Sequence, residues 1–307
     1  MSSAEPTTDR VASTDRLTPA EVAEVLALAR SAGDTDGADP FDEHTLLRLP
    51  DPQAPAVHLT AHAADGTLTG YAHLDTTDPA SGVGVELVVR PGFRRRGTGR
   101  ALARGVLSAA TGPVRAWAHG DHPSAAALAV DLGLTRARVL WQFRRSLAEP
   151  VPAPRLPAGV TLRSFRPGAD DAAWLALNAR AFATHPEQGR WTTDDLRARL
   201  AEPWFDPDGF LLAVDPADRL LGFHWTKVHE RPGSARTGEV YVVGVDPAAH
   251  GGGLGRALTT AGLAYLRDRR GLDRVMLYVD ESNTAAVALY ERLGFARWCG
   301  HVNYHRD

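Results

Sequence analysis

The chain has 307 residues, a formal net charge of −3 and 44% hydrophobic residues, enough apolar material for two cores and too little positive charge for a general nucleic-acid binder. Its single cysteine, Cys299, excludes an intrachain disulfide, and no apolar run approaches the ~20 residues that cross a bilayer. The opening MSSAEPTTDR lacks the apolar stretch of a secretory signal, so a cytoplasmic, monomeric chain without membrane or nucleic-acid partners is expected. Residues 1–16 are expected to be disordered. Thr18-Pro-Ala-Glu21 is a capping box with proline at the first helical position, which predicts a helix to about Ala32. Gly33 to Asp42 reads as an acidic loop. Val57–Ala63 and Gly70–Leu74 flank an Asp65-Gly66 turn and predict a hairpin. A strand over Val83–Val89, a helix over Gly99–Ala110, a strand over Val114–Ala118, a helix over Ser124–Leu132 and a strand over Val139–Ser146 complete a first domain, 17–147.

Residues 148–159 carry four prolines in twelve positions, which excludes helix and central strand and predicts a linker. The second domain, 160–307, repeats the order. It has a strand over Val160–Phe165, helices over Ala169–Phe182 and from about Thr193, and strands over Phe210–Val214 and Gly222–His229. A strand over Glu239–Val245, a helix over Leu254–Asp268, a strand over Val275–Val279, a helix over Thr284–Arg292 and a final strand follow. Strands and helices alternate with hairpins among them, so mixed α/β units are expected rather than an all-parallel sheet.

The two halves share a sequence. VELVVRPGFRRRGTGRALARGVL, from Val85 to Leu107, and VYVVGVDPAAHGGGLGRALTTAGL, from Val240 to Leu263, each run from apolar strand through proline and a glycine-rich turn into a helix. Aligned without gaps, Pro91 meets Pro247, Gly97 meets Gly253 and Gly99 meets Gly255. Val83 then faces Glu239. His122–Leu134 meets Asn283–Phe295, so His122 faces Asn283 and Ala129 faces Tyr290. Glycines that turn backbone amides into one concavity, followed by the positive end of a helix, suit a phosphate group. The turn is not a Walker loop, because no Gly-Lys-Ser/Thr follows, and Leu102 and Arg256 break a dinucleotide fingerprint.

The run Arg94-Arg95-Arg96-Gly97-Thr98-Gly99-Arg100 resembles the CoA pyrophosphate loop of the GNAT acetyltransferase superfamily. Asn283, Ala286, Tyr290, Leu293, Gly294 and Phe295 match that family's second mark, and the doubled pattern covers both halves. The segments Ala183–Trp191, Trp204–Gly209, Leu221–His229 and Gly238–Pro247 narrow the resemblance. They are similar to actinobacterial tandem GNAT proteins that acetylate the cysteine amine of cysteinyl-glucosaminyl-inositol. The resemblance therefore implies two tandem GNAT domains, acetyl-CoA as cosubstrate, no metal, and that small molecule as acceptor. Two alternatives stay open on the residues alone: an acetyltransferase for another small-molecule amine, and a CoA-sensing module without turnover.

Site residues follow from the same resemblance. Glu239 is implied as general base and Tyr290 as the acid that protonates the departing thiolate, both also touching the acceptor with Glu43, Glu187 and Lys227. Lys227 is the one lysine among 33 arginines. CoA contacts are implied in the first half from Leu87, Val88, Val89, Arg95, Arg96, Gly97, Thr98, Gly99 and Arg100. In the second half they are implied from Val243, Gly244, Val245, His250, Gly251, Gly252, Gly253, Leu254, Gly255, Arg256 and Asn283. His250 departs from the family's usual Arg/Gln at the start of the loop. The first domain, with Val83 and Ala129 facing the two proton-handling residues, is expected to bind CoA without catalysing, although Glu86 is a rival carboxylate. Plain readings stand beside these: a strand-opening acid for Glu239, a packed aromatic for Tyr290, a helix cap for Asn283. His58 and His62, four apart on a strand, sit roughly 13 Å apart and do not suggest a metal site. Cys299 reads as a packed thiol.

Overall fold

The computed structural model describes residues 10–77, 82–183, 188–230 and 235–307. The chain divides into two compact units, Met1–Leu140 with Cys299–Asp307, and Trp141–Trp298. The first contains β1 (Arg10–Thr14), α1 (Pro19–Asp36), α2 (Glu43–Arg48), β2 (Ala56–His62), β3 (Leu68–Asp75), β4 (Val83–Val89), α3 (Thr98–Ala109), β5 (Val114–Ala118) and α4 (Pro123–Asp131). Next, β6 (Thr135–Ser146) leaves that unit after Leu140. The second contains β7 (Thr161–Ser164), α5 (Asp171–Ala181), α6 (Thr193–Leu200), β8 (Phe210–Val214), β9 (Leu220–His229), β10 (Thr237–Val245), α7 (Leu254–Ala264), β11 (Arg274–Asp280) and α8 (Thr284–Arg292). Last comes β12 (Ala296–Arg306), which belongs to the first unit from Cys299 onward.

Strand order in the first unit is β1-β2-β3-β4-β5-β12, and in the second β6-β11-β10-β9-β8-β7. The expected last strand of each half thus serves the other unit over much of its length. Val302 to Arg306 of β12 lie antiparallel to Ala118 to Val114 of β5. Residues 1–16, expected to be disordered, include β1, whose Arg10–Thr14 backbone pairs with His62–His58. The expected acidic loop also holds structure: α1 continues to Asp36 before Gly37 ends it at φ +70°, and α2 follows. The capping box at Thr18 and Glu21 forms as expected. It orients a helix whose Val25, Leu28, Ala29 and Ala32 are buried at helical spacing.

In each unit one parallel strand pair parts early. Only Val83–Val85 pair with Val114–Ala116, and only Gly238–Val240 pair with Val275–Leu277. Both β4 and β10 continue past this point into a glycine turn and a helix that packs back on the sheet. Leu102 and Val106 of α3, and Leu254 and Leu258 of α7, are buried in that packing. Truncating such a leucine costs about 2–5 kcal/mol.

The units differ at one residue of register. The β9–β10 pairing shifts between Val240 and Val242, leaving Tyr241 as the extra residue, whereas β3 and β4 pair without a shift. Glu239 pairs with Lys227 and Met276. The residue that holds the corresponding places in the first unit is Gly84, which pairs with Asp75 and Arg115. The gap-free alignment had set Val83 there. A one-residue bulge moves the partner by one position and reverses which face it presents.

Candidate active site

The glycine turns form as their sequences require. Gly251 and Gly253 have φ of +88° and +76°, and Gly97 has φ of +97°, a region that L side chains enter only at a cost of roughly 1–2 kcal/mol. Gly253 precedes α7 and Gly97 precedes α3, neither with a side-chain cap. The first-turn amides of both helices are therefore left to meet an acceptor from elsewhere, and an anion is the natural one.

Side chains around the two turns are used differently. In the second unit the Asp246 carboxylate accepts from Ala248 N at 3.0 Å and from Arg180 Nη2 at 2.7 Å, fixing the strand exit. His250, which replaces the expected arginine, donates from Nε2 to the Val245 carbonyl at 3.2 Å. In the first unit Arg94 grips both oxygens of Asp36 at 2.7 Å. Arg96 lies 5.2 Å from the centre of the Phe93 ring, and Arg100 pairs with Asp131 at 3.0 Å. Arg95 takes a left-handed backbone, φ +65°.

Glu239 is buried, 6% exposed, on β10. His229 Nε2 donates to its Oε2 at 2.6 Å, and Lys227 is its direct cross-strand neighbour. Burial works against its charge, but the His229 hydrogen bond and the charges of His229 and Lys227 prevail and hold the carboxyl below its usual value. Glu239 is thus an ionised acceptor at neutral pH. His229 was missed in the sequence reading, although the period of two on β9 puts it on the face of Lys227.

Lys227 has an aromatic seat. Its Nζ lies 4.4 Å from the Trp204 ring centre and 5.2 Å from that of Tyr241. Arg199 donates from Nε to the Tyr241 hydroxyl at 2.9 Å and stacks 3.9 Å from Trp191. Tyr241 is the bulge residue, so the same irregularity that sets the register of Glu239 also builds the seat of Lys227.

Tyr290 is buried, 6% exposed, and its ring lies 5.8 Å from that of Phe295. It packs in one cluster with Val240 and Leu277, the register pair that follows Glu239 and Met276. Burial pushes its phenol up to about 12, so it stays protonated at neutral pH. Asn283 caps α8, its side chain accepting from Ala286 N at 3.1 Å, which realises the plain reading of that residue.

Glu43 begins α2 in the first unit, next to its N-cap Asp42. Glu187 lies outside the described residues. Glu86, the rival carboxylate, is 4% exposed. Both its oxygens lie 3.0 Å from Asp42 N, and His119 Nε2 donates to Oε1 at 2.8 Å. Burial, then the Asp42 charge, push it up to about 7 against the pull of His119. His119 Nδ1 in turn lies 2.9 Å from His301 Nδ1. Glu86 therefore anchors the corner from which Glu43 starts. Among the described residues no group of three or more His, Cys, Asp or Glu could hold a metal ion.

Residues 24–133 and 174–295 both match the acetyltransferase (GNAT) family, and the chain belongs to that family. It is similar, at 78% identity over the whole of both chains, to the mycothiol acetyltransferase of Salinispora arenicola. It is 57% identical, over 95% of this chain and 98% of the relative, to that of Thermobispora bispora. A GCN5-related N-acetyltransferase from Sphaerobacter thermophilus superposes with a TM-score of 0.69 at 26% identity, covering 97% of this chain and 96% of that one. A tandem GNAT protein from the clavulanic acid biosynthesis pathway gives a TM-score of 0.73 at 23% identity, over 97% and 98% of the two chains, and supports the fold alone. The expected tandem GNAT architecture and acetyltransferase class hold.

Proposed function

We propose that the chain transfers the acetyl group of acetyl-CoA to the cysteinyl amine of cysteinyl-glucosaminyl-inositol, giving mycothiol and CoA, in the second unit. The observation that carries the placement is Glu239: a buried, ionised carboxylate next to the point where β10 and β11 part, on the strand that leads into the Gly251–Gly253 turn. In this reading the turn and the start of α7 hold the CoA pyrophosphate. Val243, Gly244, Val245 and Asn283 line the pantetheine arm.

The amine nitrogen attacks the thioester carbonyl. A C–N bond forms, the C–S bond breaks, the amine proton passes to Glu239 directly or through water, and the Tyr290 phenol gives its proton to the leaving thiolate. A thiol and a phenol have reference pKa values of about 8.5 and 10. Burial raises both, so their match survives in the apolar surroundings of Tyr290. Lys227 and Glu187 recognise hydroxyls of the acceptor, and an ammonium suits several hydroxyls at once. The first unit holds CoA at Arg95–Arg100 and Leu87–Val89 without turnover. The reading places the reaction in the cytoplasm, in a monomeric chain; no helix among the described residues is long and apolar enough to cross a membrane.

Incubation with acetyl-CoA and the cysteinyl pseudodisaccharide tests this. CoA release should require the acceptor. The product should keep a free thiol, and blocking the acceptor amine should stop the reaction while alkylating its thiol slows it only modestly. CoA release that is unchanged by blocking the amine would refute the mechanism.

A further inference from the structure

The first unit contains a cavity of about 110 Å³ between the parting strands β4 and β5 and the helices α3 and α4. Its wall is almost wholly apolar and includes Leu87, Ala116, Ala118, Leu128, Ala129 and Leu134. Leu87, Trp117 and Ala118 lie just past the last paired residues of β4 and β5, Val85 and Ala116. Leu128 reaches the glycine turn: a Cβ built on Gly99, in the first turn of α3, would lie 3.9 Å from its Cδ2. The cavity therefore lies beside the glycine turn that leads into α3.

The second unit fills the matching space. The repeat sets Ala116 against Leu277, Ala118 against Val279, Ala129 against Tyr290 and Leu134 against Phe295. Strand register agrees, since Val83 pairs with Val114 as Gly238 pairs with Val275. Leu277, Val279, Tyr290 and Phe295 are all at most 6% exposed and pack in one cluster. At these four lining positions the first unit has the smaller side chain, which outweighs the larger Val106, Leu87 and Trp117 that it sets against Gly262, Val243 and Tyr278. Close-packed interiors do not leave such space without a use or a cost.

We propose that the first unit carries an acyl-chain pocket: its CoA cleft binds a linear CoA thioester whose acyl group is longer than acetyl, which the filled second unit does not accommodate. This rests on the reading that the first unit cradles CoA. A cavity of roughly 150 Å³ takes the six carbons of benzene, so the present one accommodates on the order of four carbons. Gly84 and Ala129 stand here where the second unit has Glu239 and Tyr290, so the thioester is retained rather than consumed. The first unit then holds a short-chain acyl-CoA, while the second uses acetyl-CoA.

Calorimetric titration of the full chain without acceptor, using CoA, acetyl-CoA and butyryl-CoA, tests the proposal. Two sites are expected. One tightens by about fourfold per added methylene, hence about 15-fold from acetyl to butyryl, and the other does not tighten. Ala129→Leu should abolish that gain while leaving CoA itself bound at two sites, and the smaller Ala129→Val should reduce it in a protein less perturbed. Equal affinities for acetyl-CoA and butyryl-CoA at both sites would overturn the pocket. So would a butyryl gain that survives Ala129→Leu, or an Ala129→Leu loss shared equally by CoA, acetyl-CoA and butyryl-CoA, which would assign the cavity to the pantetheine arm. Gly97→Val separates the underlying reading: if two CoA sites persist in that variant, the first unit does not cradle CoA and the inference falls with it.

Discussion

The two units share a loop and differ in what stands behind it. Each has a strand followed two residues on by proline, a left-handed glycine before a helix, and a parallel strand pair that parts after three residues. Behind the second loop stand a bulged strand, an ionised Glu239 and a buried Tyr290. Behind the first stand an unbulged strand, Gly84 and Ala129. On the proposed reading, the cofactor cradle is a backbone property that survives side-chain replacement, and proton handling depends on two side chains and on one extra residue of register.

The strongest way to break this contrast is at the carboxylates. Glu239→Gln and Tyr290→Phe should each lower kcat by roughly 10²-fold or more, whereas Glu86→Gln should leave kcat within a factor of a few, because Glu86 serves Asp42 N and His119. Steady-state rates with saturating acceptor decide it, and a loss with Glu86→Gln equal to that with Glu239→Gln would move the chemistry to the first unit. The pH profile sharpens the point. With Glu239 held below its usual value, kcat/KM should rise toward the amine pKa of ~8, without an inflection from this carboxyl above pH 5.

A second contrast concerns stability. In the second unit His224 is wholly buried, its Nδ1 donating to the Leu258 carbonyl at 2.8 Å, and burial pushes it down to about 4 from 6.5. The unfolded chain therefore binds the extra proton between these values. The stability it contributes is full above 6.5 and is lost as pH falls through 4, at most ~3 kcal/mol. Glu86, raised to about 7, acts with the opposite sign: its contribution is full below 4.5 and lost as pH rises through 7. Hydrogen exchange should show β9 and α7 loosening between pH 6.5 and 4.5, and an unchanged rate of opening there would contradict the assignment of neutral His224.

The smallest effect is expected at Lys227. Its ammonium sits over Trp204 and Tyr241 and beside Glu239. Lys227→Arg keeps the cation–π contact but replaces a compact ammonium by a planar fork, so it should raise KM for the acceptor by about threefold, without changing KM for acetyl-CoA. Unchanged acceptor kinetics would remove Lys227 from the site.

Much of this was legible locally. The capping box at Thr18, the strand Val83–Val89, the helix Thr284–Arg292 and both glycine turns appear where composition and period place them. What stayed hidden is non-local. The β6 and β12 patterns are the same whichever unit they join. The Tyr241 bulge sits in a run apolar at successive positions, Val240 to Val243, so no alternation marks the extra residue. Residues 43–48 make too short and polar a helix to show a periodic face. Glu86 gave no sign that its partners would be a backbone amide 44 residues away and a histidine 33 away.

The most direct test compares the two loops. Gly97→Val and Gly253→Val place the same side chain at two left-handed positions, φ +97° and +76°, with nothing within 4 Å of either added Cβ, so the strain falls on the loop itself. Single-turnover acetyl transfer to the cysteinyl pseudodisaccharide should collapse in Gly253→Val and persist in Gly97→Val. Collapse in Gly97→Val alone, in protein that remains folded, would place the chemistry in the first unit and contradict the account.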